Sequence, residues 1–118
     1  MGTGVEMPST WVKEFCGAIT VCDREGRILE MNDKAAMTFE HDGGQSLVGK
    51  SVYDCHPPAA IEKIKEIMKT GKPHAYTIEK KGVKKLIYQT PWHANGEIKG
   101  IMELSLEIPF DMPHFVRK

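Results

Sequence analysis

Apolar and polar positions alternate with a period of two in two blocks of the chain, and the segment between them has a period near 3.6. In the first block, Ala18, Ile19, Val21 and Cys22 are apolar with Thr20 between them. Asp23-Arg24-Glu25-Gly26 has the composition of a tight turn, and Arg27 to Met31 returns as a second strand, so residues 17–31 predict a β-hairpin. The second block holds three strands. His74 to Lys80 places His74, Tyr76 and Ile78 on one face, and Lys81-Gly82 turns. Leu86, Tyr88, Thr90 and Trp92 share a face of the next strand. Asn95-Gly96 is the strongest short hairpin signal in the chain. Ile98 to Ile108 follows, with Gly100, Met102, Leu104 and Leu106 on one face, and Pro109 ends it.

Between the blocks the pattern is helical. Asn32 is a good N-cap for a helix over Asp33 to Phe39, whose buried side is Ala35, Ala36, Met37 and Phe39. Glu40 to Ser46 contains Gly43-Gly44 and reads as a loop. Leu47 to Tyr53 reads as one helical turn interrupted at Gly49, a position expected to need positive φ. Pro57 and Pro58 suit the first turn of the next helix, where a missing N–H costs nothing. Ile61, Ile64, Ile67 and Met68 form its apolar stripe, and Thr70-Gly71 before Pro73 closes it.

Two flanking pieces complete the organisation. Residues 1–8 are expected to be disordered or artificial. A short helix then spans residues 9–16, capped by Ser9, with Trp11, Val12 and Phe15 on one apolar face. A helix this short must dock on something, so these three residues are candidates for a homodimer interface. Residues 17–108 form the core, and residues 109–118 a tail whose Phe110, Met112 and Phe115 are expected to pack. Neither hairpin group is stable alone. They are expected to join in one antiparallel sheet with the helices on one face: an α+β domain with a cavity-forming shell.

Composition narrows the class. The 118 residues make about one domain, and the hydrophobic share of 41% is that of an ordinary globular protein. Sixteen basic and sixteen acidic side chains cancel, which gives no electrostatic reason to expect nucleic acid or an anionic membrane as a partner. No apolar run reaches the roughly 20 residues of a membrane span, and the N-terminus has no secretory pattern. Cys16, Cys22 and Cys55 have no CxxC spacing, which fits reduced thiols in the cytoplasm.

In order and spacing, these residues resemble the PAS domain family over about residues 15–108. Gly-Ala-Ile-Thr-Val-Cys-Asp (17–23), the Asp-Arg-Glu-Gly turn, the return strand ending at Asn32 and Ala35-Ala36 resemble the start of a PAS core. Leu47-Val48-Gly49-Lys50-Ser51 is similar to the family's segment after its first helix. Thr90-Pro91-Trp92, Asn95-Gly96-Glu97-Ile98 and Gly100 resemble its closing hairpin. The Cys55-His56-Pro57-Pro58 run is similar to one in a bacterial subgroup, some members of which are attached to hemerythrin-like domains. The chain departs from the family where Glu107-Ile108-Pro109 replaces the usual Asp-Ile-Thr. The resemblance implies a five-stranded antiparallel sheet with short helices over one face. It also implies a sensory, non-enzymatic role with a signalling partner protein.

The resemblance further implies a small-ligand pocket lined by Met31, Met37, Tyr53, His56, Tyr76, Tyr88, Trp92 and Met102. The same side chains serve equally as core packing, which would make the domain a structural dimerisation module. His56 has three readings: a local hydrogen bond, a ligand contact, or an axial haem ligand, the last because haem-binding PAS domains use a histidine near this helix. A flavin is not indicated, because Cys55 is followed by histidine rather than arginine. Adjacent Cys55 and His56 are poorly placed as nucleophile and base or as joint metal ligands. His41, His93 and His114 read as surface, and Lys80-Lys81 and Lys84-Lys85 as a solvated turn.

Overall fold

The computed structural model describes residues 7–54 and 56–118. Five strands form one antiparallel sheet: β1 (Ala18–Asp23), β2 (Ile28–Met31), β3 (His74–Lys80), β4 (Val83–Ala94) and β5 (Glu97–Ile108), in the order β2-β1-β5-β4-β3. The two hairpin groups therefore meet where β1 pairs with β5. The register there sets Ala18 against Ser105, Thr20 against Glu103 and Cys22 against Ile101. Asn95 and Gly96 take φ of 54° and 80°, the mirror-image turn that two-residue hairpins prefer.

The helices lie between the blocks: α1 (Met7–Lys13), α2 (Asp33–Thr38) and α3 (Pro58–Thr70). Two short 3-10 turns, Glu40–Asp42 and Gly44–Leu47, occupy the stretch expected to be a loop. Gly49, at φ 95°, separates them from a third, Val52–Asp54. Gly49 N–H donates to the Ile28 carbonyl at 2.7 Å, and Ile28 N–H to the Lys50 carbonyl at 2.8 Å, so this turn is laced to the edge strand β2. The helix expected from Ser9 begins two residues earlier, at Met7, and Ser9 falls within its first turn. Pro8 there lacks an N–H that the first turn would leave unpaired anyway.

One residue ties the N-terminal elements together. Asn32 is buried, and its side chain makes four hydrogen bonds. Its Oδ1 accepts from Ile19 N–H at 2.9 Å and Ala35 N–H at 3.0 Å. Its Nδ2 donates to the Val12 carbonyl at 3.0 Å and the Gly17 carbonyl at 2.9 Å. A buried amide is cheap to hold only when satisfied in this way. Asn32 caps α2 as expected, and it also fixes the exit of α1 and the entry to β1.

The core joins sheet to shell on one side only. Ala18, Cys22, Ile28, Ile101, Ala35, Leu47, Val52, Ile64 and Ile67 form one buried cluster. Alternation then puts Ile19, Val21, Tyr88, Met102, Leu104 and Leu106 on the face away from the helices. That face is covered only in part: Phe15 approaches Leu104 and Leu106 at Gly17. The tail does not pack as expected. Phe110, Met112, Phe115 and Val116 are exposed, and Phe115 stacks on Arg117 of the tail itself.

Candidate functional site

Between sheet and shell lies a cavity of about 140 Å³. Its apolar wall comes from both layers: Cys22, Met31 and Ile101 from the sheet, and Leu47, Val52 and Ile64 from the elements that cover it. Three polar residues of the central strands project into the same space: Thr20 of β1, Gln89 of β4 and Glu103 of β5. Register brings them together, since Thr20 pairs with Glu103 and Glu103 with Gln89. Gln89 Nε2 donates to Glu103 Oε2 at 2.8 Å, and Gln89 Oε1 accepts from His74 Nδ1 at 3.1 Å. Exposed Asp42 and His56 stand at the rim.

His56 has a defined orientation. Its Nδ1 is 2.7 Å from the Val52 carbonyl. A carbonyl only accepts, so Nδ1 carries the proton, and a neutral ring presents the lone pair of Nε2. Cys55 lies outside the described residues. Burial pushes the Cys22 thiol above its ordinary value, so it faces the cavity as a neutral thiol. Among the described residues no cluster of His, Cys, Asp and Glu is arranged to hold a metal ion.

Of the eight residues expected to line a pocket, Met31 and His56 do so. The others are elsewhere. Met37 is 63% exposed on the outer side of α2. Tyr53 packs on Gly26 of the β1–β2 turn, beneath the Lys65 ammonium at 5.4 Å. Tyr76 is on the helix side of the sheet but on the edge strand β3, half-exposed beside His74, with ring centroids 4.9 Å apart. Burial raises the pKa of both tyrosines. Tyr88 and Met102 sit on the face away from the helices. Trp92 is also outside the lining, and its indole N–H is satisfied by the Cys22 carbonyl at 2.9 Å. The reason is register. Period-two alternation shows which residues share a face, and the β1–β5 pairing decides which face meets the helices.

The lining residues missed from sequence are chiefly Thr20, Gln89 and Glu103. One signal for them was present. Glu103 interrupts the apolar run Ile101-Met102-Glu103-Leu104 in a central strand, where an unpaired charge would be costly.

A haem does not fit this cavity. The His56 arrangement, with one ring nitrogen on a backbone carbonyl, is one that metal-ligating imidazoles use. The hollow, however, is smaller than the roughly 300 Å³ lower bound for sites of drug-sized ligands, and a porphyrin is larger still.

The fold has close counterparts among solved structures. A C-terminal domain from Streptococcus mutans is 21% identical over 91% of this chain and 89% of its own, with TM-score 0.71. A sensory box sensor histidine kinase from Vibrio cholerae is 16% identical over 88% and 91%, with TM-score 0.61. The Aer2 receptor of the same organism, described as a dual PAS-haem oxygen sensor, is 18% identical over 79% and 95%, with TM-score 0.61. At these identities the likeness concerns the fold. No curated protein matches the chain. No helix among the described residues is long and apolar enough to cross a membrane. Residues 15–109 match the family model described as PAS fold, and with the sheet order and one-sided helical shell this makes the chain a member of the PAS family, whose domains are generally sensory.

Proposed function

We propose that this PAS domain is a sensor that binds a small ligand between sheet and helices and signals through protein–protein association. The observation that carries this reading is the hollow itself. Close-packed interiors contain few voids larger than a water molecule, yet this domain keeps about 140 Å³ beside α3 and the 3-10 turns, with Thr20 and Glu103 facing it. A ligand there touches both layers. It shifts the population of shell conformations by its differential affinity for them.

Association is supported by the face opposite the cavity. Tyr88, Met102, Leu104 and Leu106 lie there incompletely covered, next to Phe15, and Trp11 is 63% exposed. A homodimer joined through Trp11, Val12, Phe15 and this face buries an apolar surface that a monomer leaves wet. The output passes to a partner protein through the same helix.

Native mass spectrometry of the purified protein, with its ultraviolet–visible spectrum, tests the sensor reading. A non-covalent adduct of small mass that is lost on unfolding is expected, with no Soret band. A homogeneous apo mass in every preparation, together with no stabilisation by any small molecule in a broad thermal-shift screen, would leave the domain a structural association module.

A further inference from the structure

The cavity's chemistry specifies its ligand more narrowly than its existence does, and a ligand assignment rests on the ligand-binding reading proposed for this domain. A hollow of about 150 Å³ takes a benzene-sized molecule, so 140 Å³ suits a single ring or an equally compact body. Most of the wall is apolar. The polar groups are one-sided. Glu103 and Asp42 bring carboxylates, Thr20 a hydroxyl, Gln89 an amide and His56 an imidazole at the rim, whose Nδ1 is taken by the Val52 carbonyl, and among the described residues no lysine or arginine lines the space.

The Glu103 carboxylate is also held for use. Gln89 occupies one of its oxygens, Oε2, at 2.8 Å, and Gln89 is itself fixed by His74 at 3.1 Å. Oε1 of Glu103 and the Thr20 hydroxyl have no hydrogen-bond partner among the described residues. Both residues line the hollow from adjacent strands in register. An acceptor-only group, preorientated and half-desolvated, selects for a donor, and a charged donor most of all. An anion would meet two carboxylates and neither a lysine nor an arginine.

We propose that the cavity recognises a compact organic cation, a protonated amine or amidine on a single-ring-sized apolar body. The cationic N–H group sits on Glu103 Oε1 and Thr20, and the apolar body lies against Ile64 and Ile101. Gln89 and His74 are positioning residues: they hold the carboxylate and do not meet the ligand's charge themselves.

Benzylamine, toluene and benzoate are the probes. The δ1-methyl resonances of Ile64 and Ile101 report occupancy of the cavity by NMR titration at constant pH and salt. Benzylamine is expected to move both methyls and to bind at least about tenfold more tightly than toluene, with benzoate weakest. Glu103→Gln keeps the shape and removes the charge. It is expected to weaken benzylamine at least about tenfold while leaving toluene unchanged, and the toluene titration shows that the variant's cavity is intact. If toluene moves both methyls but benzylamine binds no better, or if Glu103→Gln leaves benzylamine unaffected, the cation assignment is overturned and the ligand-binding reading stands. If none of the three probes moves either methyl, the cation assignment is overturned, and the ligand-binding reading is decided by the native mass spectrum and the thermal-shift screen.

Discussion

The indole N–H of Trp92 donates to the carbonyl of Cys22 at 2.9 Å, and it does so across Gly100. Gly100 stands between them in the sheet, paired with Asp23 on one side and Trp92 on the other. A Cβ at Gly100 would lie 1.9 Å from the Cys22 carbonyl oxygen, against backbone that cannot swing aside. The glycine makes room for the tryptophan, and the tryptophan's polar tip serves the sheet. Gly100→Ala is expected to cost at least the roughly 1–3 kcal/mol typical of overpacking. Trp92→Phe removes one hydrogen bond and should cost about 1 kcal/mol. Urea unfolding followed by circular dichroism checks both. A Gly100→Ala protein as stable as the parent would contradict this close approach.

Asn32 carries more of the fold than a cap does. Asn32→Ala removes four side-chain hydrogen bonds at once, and a loss of about 3 kcal/mol is expected, against about 1 for an ordinary cap. Asn32→Asp separates the two halves of the amide. Its oxygen still accepts from Ile19 and Ala35, but the donors to Val12 and Gly17 become acceptors facing carbonyls. That environment raises the folded-state pKa of the new carboxyl above its unfolded value of about 3.9. The unfolded chain then loses its proton first, so stability relative to wild type falls as pH rises past that value. Chemical denaturation at pH 4 and pH 7 should show the larger deficit at pH 7. Equal deficits at both would mean the side chain is solvated.

Much of this arrangement was legible in the sequence, because local chemistry forces it. Asn95-Gly96 leaves the chain little choice but a tight hairpin, the isoleucine stripe of α3 has one face, and Asn32 had to cap something. The face of the sheet was not legible. In β5 the inward residues are Ile101, Glu103 and Ser105, whereas Met102, Leu104 and Leu106 point away from the helices. The usual rule that the apolar set turns inward therefore chooses the wrong side for Tyr88, Trp92 and Met102. Register across β1–β5 is a long-range fact, and the apolar outer face has its own use in association. The polar cluster at Gln89 and Glu103 was hidden for the same reason. The tail from Phe110 reads as buried by composition alone, and nothing in its local pattern shows that no surface receives it.

The two described cysteines should differ sharply in reactivity. Cys16 is exposed and Cys22 is buried. Burial also pushes the Cys22 thiol up, which removes the reactive thiolate at neutral pH. Iodoacetamide labelling with peptide mapping should modify Cys16 in the native protein and Cys22 only after unfolding. The shift also has a sign in the stability curve. As pH rises past the ordinary thiol value of 9.0, the unfolded state ionises first, so the native state loses stability. The raised Tyr53 and Tyr76 hydroxyls act in the same direction at higher pH. Cys22→Ala should flatten the first part of that decline. An unchanged profile would assign it elsewhere.

The association surface predicts an oligomeric state. Trp11 is 63% exposed and meets Phe15 edge-on, with ring centroids 6.3 Å apart, while Phe15 leads to the outer face of the sheet. At tens of micromolar, light scattering after size exclusion should report a dimer. Trp11→Glu should shift it to monomer without changing the thermal midpoint of the isolated domain by more than a few degrees, since the side chain supports little of its own fold. Leu104→Lys tests the sheet component separately. A wild-type monomer would rule out this mode of association.

Thr20 separates the demands of folding from those of binding. It lines the cavity, and its hydroxyl has no hydrogen-bond partner among the described residues, in a wall that is otherwise largely apolar. For the fold alone, valine is the better residue at this position: it has the same shape, and no polar group to desolvate. Thr20→Val should therefore be neutral or stabilising by up to about 1 kcal/mol, as for other substitutions that relax a functional compromise. Thermal melts of the ligand-free protein measure this. A loss of more than about 1 kcal/mol would show the hydroxyl to be structural. With benzylamine present the sign should reverse, because the variant has lost one of the two acceptors that meet the ammonium. A side chain that weakens binding when removed, yet strengthens the empty fold, is there for the ligand.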